Sequence, residues 1–211
     1  SSATNIWAVG DAGQISKWDG SAWSSQPSGA SQRLLGVWGT DVNNVWAVGN
    51  FGTVLRWNGS AWSSQTSGTS QRLLSVWGSD ANNVWAVGSF GAILKWNGSA
   101  WSTQTSGTTQ DLFGVWGSDA NNVWAVGEGG TILKWNGTSW SLQASGTTYS
   151  LRGIWGSSAN DVWAVGGLHR ILKWDGSTWS IQYNGTTGVY SGSLEGVWGS
   201  GASSVWAVGD T

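Results

Sequence analysis

The block Val-Trp-Ala-Val-Gly returns at Val45–Gly49, Val84–Gly88, Val123–Gly127, Val162–Gly166 and Val205–Gly209, with Ile6–Gly10 as a near copy. Its tryptophans are Trp7, Trp46, Trp85, Trp124, Trp163 and Trp206, spaced by 39, 39, 39, 39 and 43 residues. Three more tryptophan series keep the period. They are Trp18, Trp57, Trp96, Trp135 and Trp174; Trp23, Trp62, Trp101, Trp140 and Trp179; and Trp38, Trp77, Trp116, Trp155 and Trp198. The four series account for all 21 tryptophans, and residues 34–72 and 73–111 agree at 29 of 39 positions. A fixed period of this length means units that cannot bury an apolar face alone and must stack or close radially.

Each unit reads as four short strands, A to D. In the first full unit these are Leu34–Gly39, Val45–Gly49, Thr53–Trp57 and Ala61–Thr66, rich in the β-branched and aromatic residues that strands favour. Gly, Asn, Asp and Ser clusters separate them, and the Asn58-Gly59 step is a tight-turn signal that tolerates positive φ. No segment shows a helical period. Four strands and four loops in 39 residues predict one blade of a β-propeller. The chain holds five A, six B, five C and five D strands. The expected fold is therefore a single all-β domain, residues 1–211, forming a five-bladed propeller of four-stranded antiparallel blades. The repeats run 34–72, 73–111, 112–150 and 151–193, and residues 194–211 plus 1–33 share the closing blade. That closure removes exposed edges but leaves one surplus B strand, Ile6–Gly10 or Val205–Gly209, available for self-association.

Composition narrows the chemistry. Charged residues are 9% of the chain, against about 25% in ordinary domains, and the net charge is −2, so no basic stripe exists for a nucleic acid. With no Cys and one His, neither a disulfide nor a Cys- or His-cluster metal site is expected, and no cofactor is implied. No apolar run approaches the roughly 20 residues of a membrane span. The absence of Met suggests a processed or excised piece of a longer product.

The run Gly-Val-Trp-Gly-Ser-Asp-Ala-Asn-Asn-Val-Trp-Ala-Val-Gly (residues 114–127) resembles WD40-type repeats in strand order and spacing, and the Trp-Asp dipeptide itself stands at Trp18-Asp19 and Trp174-Asp175. The turn [Lys/Arg]-Trp-[Asn/Asp]-Gly-[Ser/Thr]-x-Trp is similar to a degenerate Asp-box of BNR-repeat propellers. The resemblance covers the whole chain and implies a bacterial repeat propeller of extracellular or cell-surface type. It also raises sialidase chemistry, which requires an arginine cluster and a Tyr–Glu pair. Tyr190 and Glu195 are near in sequence, but Arg33, Arg56, Arg72, Arg152 and Arg170 are scattered, so a non-enzymatic module is expected.

Two candidate surfaces follow. Trp23, Trp62, Trp101, Trp140 and Trp179 open the outermost strand, where they either pair across to the Trp57 series or form repeated exposed platforms for sugar rings. The second reading makes the chain a multivalent, lectin-like module. Loops B–C and D–A should share one face and vary most between repeats. Phe51, Phe90, Tyr149, His169, Arg170 and Tyr190 lie there, as an alternative platform for a protein partner. A repeat scaffold without a ligand is the third reading. Lys95, Lys134, Lys173 and Arg56 recur before a strand-C Trp, where a long side chain lies along apolar surface or over a ring. The Ser-Asp-Ala-Asn-Asn turns suggest calcium loops but are better explained as side-chain capping of a tight turn.

Overall fold

The computed structural model describes residues 4–184 and 192–210, which fall into two compact units, Ser1–Gln104 and Thr105–Thr211. The first unit holds three antiparallel sheets. They are β1 (Ile6–Val9), β2 (Ile15–Trp18) and β3 (Trp23–Gln26); β4 (Leu34–Asp41), β5 (Asn44–Gly49), β6 (Val54–Trp57) and β7 (Trp62–Ser64); and β8 (Leu73–Asp80), β9 (Asn83–Gly88), β10 (Ile93–Trp96) and β11 (Trp101–Thr103). The second unit holds β12 (Leu112–Asp119), β13 (Asn122–Gly127), β14 (Ile132–Trp135) and β15 (Trp140–Gln143), then β16 (Leu151–Ser158), β17 (Asp161–Gly166), β18 (Arg170–Trp174) and β19 (Trp179–Tyr183). Its last sheet is the pair β20 (Leu194–Gly201) and β21 (Ser204–Gly209). Within each sheet the strands lie in chain order, as the four-strand reading of the repeat requires.

Strand A is longer than the sequence suggests and strand D shorter. Every A strand carries two register shifts, as at Leu34/Gly36 and Gly39/Asp41, and runs on to pair Asp41 with Asn44. These bulges bend the strand and let its polar end continue the ladder. The surplus strand is not displaced. β1 pairs with β2 from Ile6↔Trp18 to Val9↔Ile15, and β21 pairs with β20 from Leu194↔Gly209 to Gly201↔Ser204. Both ends therefore fill a B position, β1 in a three-stranded sheet and β21 in a two-stranded one.

The B strands explain the packing. Five of six residues in β5, β9 and β13 are buried. Trp46 of β5 lies 4.9 Å and 5.1 Å, centroid to centroid, from Trp96 and Trp101 of the following sheet. Trp7 of β1 lies 5.1 Å and 5.2 Å from Trp57 and Trp62. In the second unit, Trp124 shares a buried cluster with Trp174 and Trp179. At Trp7 and Trp46 the strand-B indole thus enters the notch between the strand-C and strand-D indoles of the next sheet, tilted to one and edge-on to the other, as ring quadrupoles prefer. Gly88 closes strand B without a side chain because a Cβ there would collide with the Arg72 carbonyl oxygen, which accepts the Ser89 N–H at 2.9 Å.

Candidate interaction surface

That last hydrogen bond recurs and fixes the geometry of one face. The Asn50, Glu128 and Gly167 N–H groups donate to the carbonyls of Arg33, Asp111 and Ser150 at 3.0, 2.8 and 2.9 Å. Each B–C turn is thereby tied to the D–A connection leading into strand A of its own sheet, so the two loop sets share a face, as expected from the strand order.

The B–C turns Asp11–Gly13, Asn50–Gly52, Ser89–Gly91 and Glu128–Gly130 are single tight turns whose middle residue adopts left-handed backbone. Gly129 takes φ +63° there at no steric cost, but Ala12, Phe51 and Phe90 take φ +53°, +55° and +56°. A bulky residue in this region is an outlier, costing about 1–2 kcal/mol relative to glycine. Phe51 and Phe90 do not recover that cost by burial, being 73% and 69% exposed. In the second unit, the turn after β17 holds Leu168 and His169, both at positive φ. His169 Nε2 lies 2.9 Å from the Asp210 carbonyl oxygen. The Arg170 guanidinium sits 4.5 Å over the Tyr149 ring and donates to the Asn184 side chain at 2.5 Å, beside a depression running from Gly146 to Tyr149. Phe51 and Phe90 thus stand in the B–C turns of the first unit, and Tyr149, His169 and Arg170 in or beside the loops of the second. Tyr190 lies outside the described residues.

The strand-D tryptophans stand elsewhere. Trp62, Trp101, Trp140 and Trp179 are all buried, and only Trp23 is exposed, at 52%. They pair across to Trp57, Trp96, Trp135 and Trp174, with ring centroids 5.8–6.0 Å apart. Four of the five candidate sugar platforms are thus buried in the structure. Trp62 and Trp101 receive the strand-B indole of the preceding sheet, and Trp179 shares its buried cluster with Trp124.

Among solved structures, the chain is similar to the WD40 repeats of RRP9, with a TM-score of 0.72 at 12% identity over 92% of this chain and 66% of that one. Two structures of YCF48 also match, one from Cyanidioschyzon merolae and one bound to a D1 peptide. Each is 15% identical, with TM-scores of 0.47 and 0.46, covering 98% and 96% of this chain and 89% and 84% of theirs. No protein-family model and no curated protein matches the chain.

The fold is that of a WD40-like β-propeller.

Other polar features of the propeller serve its turns and junctions. The Asn58 side-chain oxygen accepts the Ser60 and Ala61 N–H groups and the Ser60 hydroxyl at 2.9–3.0 Å, and Asp19 makes the same three bonds in its turn. Bonds from Ala22 and Ser21 lower Asp19 to a pKa of about 2, and bonds from Thr178 and Ser177 do the same for Asp175. In the A–B turns, partial burial pushes Asp41, Asp80 and Asp119 up, but the backbone N–H two residues on and the next Asn amide outweigh it and hold all three low. Those bonds give the Asp-Asn turns a structural reason. The strand-C cations lie over rings, Arg56 at 5.2 Å and 5.4 Å from Trp46 and Trp96, and Lys134 at 5.1 Å and 4.8 Å from Trp124 and Trp174. Arg33 and Arg152 are taken up locally by Asp11 at 2.9 Å and Glu195 at 3.1 Å. Glu195, the candidate acid partner of Tyr190, is thus an ion-pair partner. Among the described residues, no helix is long and apolar enough to cross a membrane.

Sequence reasoning missed the left-handed backbone under Phe51 and Phe90. Its one available signal was Gly129, which stands at the same place in a sister turn.

Proposed function

We propose that this propeller is a non-enzymatic module that holds a protein partner on its B–C/D–A face, with Phe51 and Phe90 as apolar anchors. One observation carries the reading: two phenylalanines stand well exposed on backbone that glycine would occupy without strain. Strain retained at an exposed aromatic is the mark of a side chain kept for contact, and aromatic anchors dominate protein interfaces. Burial of the strand-D tryptophans supports this choice over sugar binding.

The test is a peptide library selected on folded protein, with a glycan array run in parallel. Selected peptides should lose at least tenfold in affinity against the F51G/F90G double variant and ignore free sugars. Strong array binding that survives in the double variant would overturn the reading.

A further inference from the structure

Tyr149 and Arg170 depart together from the pattern of the other repeats. At the same places in the repeat, Gln32, Gln71 and Gln110 stand for Tyr149, and Thr53, Ala92 and Thr131 for Arg170. The two changes meet, since the guanidinium stacks 4.5 Å over the Tyr149 ring. The Asn184 side-chain oxygen accepts one of its N–H groups, so the half-buried cation is held from two sides. No carboxylate neutralises it. The described residues include every Asp and Glu of the chain, and none of them forms an ion pair with Arg170. Arg33, Arg152 and Lys173, by contrast, pair with Asp11, Glu195 and Asp161. The Asp210 carboxylate accepts the Ser193 N–H instead.

The loop beside the cation is already shaped. Ser145 Oγ accepts the Thr147 N–H at 3.3 Å and donates to the Thr147 carbonyl at 3.1 Å, and Thr147 Oγ1 accepts the Tyr149 N–H at 3.1 Å. Ser67–Gln71 and Ser106–Gln110 make the same bonds, so the loop is a feature of the repeat to which this unit adds a cation. Gly146, Thr147, Thr148, Tyr149 and Arg170 line one depression.

We propose that Arg170, seated on Tyr149, is a binding site for a carboxylate of a peptide partner. Of its five N–H donors, only the one to Asn184 has a partner among the described residues. The planar guanidinium fork matches the two oxygens of a carboxylate. A single uncompensated cation balances that single negative charge and leaves a phosphate dianion half neutralised. Stacking on Tyr149 holds the long side chain before any ligand arrives, which lowers the ordering cost of binding. Only the peptide origin of the carboxylate rests on a protein partner at this face. The small probes below test the site by itself, so its failure is distinct from a blank peptide selection.

The test is an NMR titration of isotope-labelled protein at fixed pH and ionic strength, read at the amides of Gly146–Tyr149 and Arg170. The probes are N-acetylalanine for a chain-end carboxylate, N-acetylaspartate methylamide for a side-chain carboxylate, N-acetylalaninamide as a neutral control, and inorganic phosphate. At least one carboxylate should shift these amides saturably, and the tighter of the two names the source. The neutral amide should leave them unmoved, and phosphate should bind more weakly than that carboxylate. R170T, which copies Thr53 and Thr131, should weaken carboxylate binding about tenfold or more. Y149Q, which copies Gln71 and Gln110, should weaken it less, through loss of the seat alone. No saturable shift with either carboxylate, equal shifts with the neutral amide, tighter binding of phosphate, or wild-type binding in R170T or Y149Q would each overturn the proposal.

Discussion

Trp124, Trp163 and Trp206 occupy one position of the repeat and belong to nearly identical strands, yet the first is fully buried, the second half-buried and the third largely exposed. Their own sheets do not explain the series, since Trp116–Trp124 and Trp198–Trp206 both lie 5.8 Å apart across strands A and B. What changes is the sheet that follows. Trp124 has a following sheet with strands C and D, whereas Trp163 is followed by β20 and β21 alone. A strand-B tryptophan is therefore half a contact, and its contribution to stability is set by the neighbour that receives it.

The largest expected effect breaks this comparison directly. W124A removes a fully buried indole and should cost about 3–5 kcal/mol, while W206A in the monomer should cost about 1 kcal/mol or less. Equilibrium urea unfolding at low protein concentration measures both, and equal losses would mean that neighbouring sheets do not carry the packing energy.

A second contrast sets the buried junctions against the loop face. F51G places glycine on left-handed backbone and removes an exposed side chain. It should raise stability by up to about 1 kcal/mol, the relief at φ +55° exceeding the added freedom of the unfolded chain. F51G should at the same time weaken partner binding, which separates a residue kept for contact from one kept for folding. Thermal melts of the F51G and F90G variants check the sign.

The smallest effect concerns the turns. Asp19 and Asp175 have folded pKa values of about 2, below the ordinary carboxylate value. Their stabilisation is complete above the unfolded pKa near 4 and is lost as pH falls through about 2. The D19N/D175N variant, which copies the neutral Asn58 turn, should lose less stability than wild type between pH 4 and pH 2. Parallel slopes in an acid titration of urea midpoints would count against the bonding described for these turns.

Strand order and the loops sharing a face were legible from the period because spacing alone sets them. The pairing of Trp57 with Trp62 was legible too, since a tight turn at Asn58-Gly59 puts the flanking residues opposite each other. The fate of Trp62 was not. Its outward position in the sheet suggested exposure, and burial came from Trp7, 55 residues earlier, through contact between sheets that no local pattern reports. The strain at Phe51 was hidden for a different reason: phenylalanine announces no positive φ, and only a sister turn with glycine does.

The central claim is that the strand-B tryptophans and their strand-C and strand-D partners bury one another within each unit, while Trp23, Trp198 and Trp206 stand exposed. Fluorine NMR of 5-fluorotryptophan protein with a soluble paramagnetic agent, assigned by single Trp→Phe substitutions, reads this residue by residue in dilute monomer. The account predicts sharp, protected signals for Trp46, Trp85, Trp124, Trp62, Trp101, Trp140 and Trp179, and broadened signals for Trp23, Trp198 and Trp206. Broadening of the Trp62 series, or protection of Trp206 and Trp23 in the monomer, would contradict it.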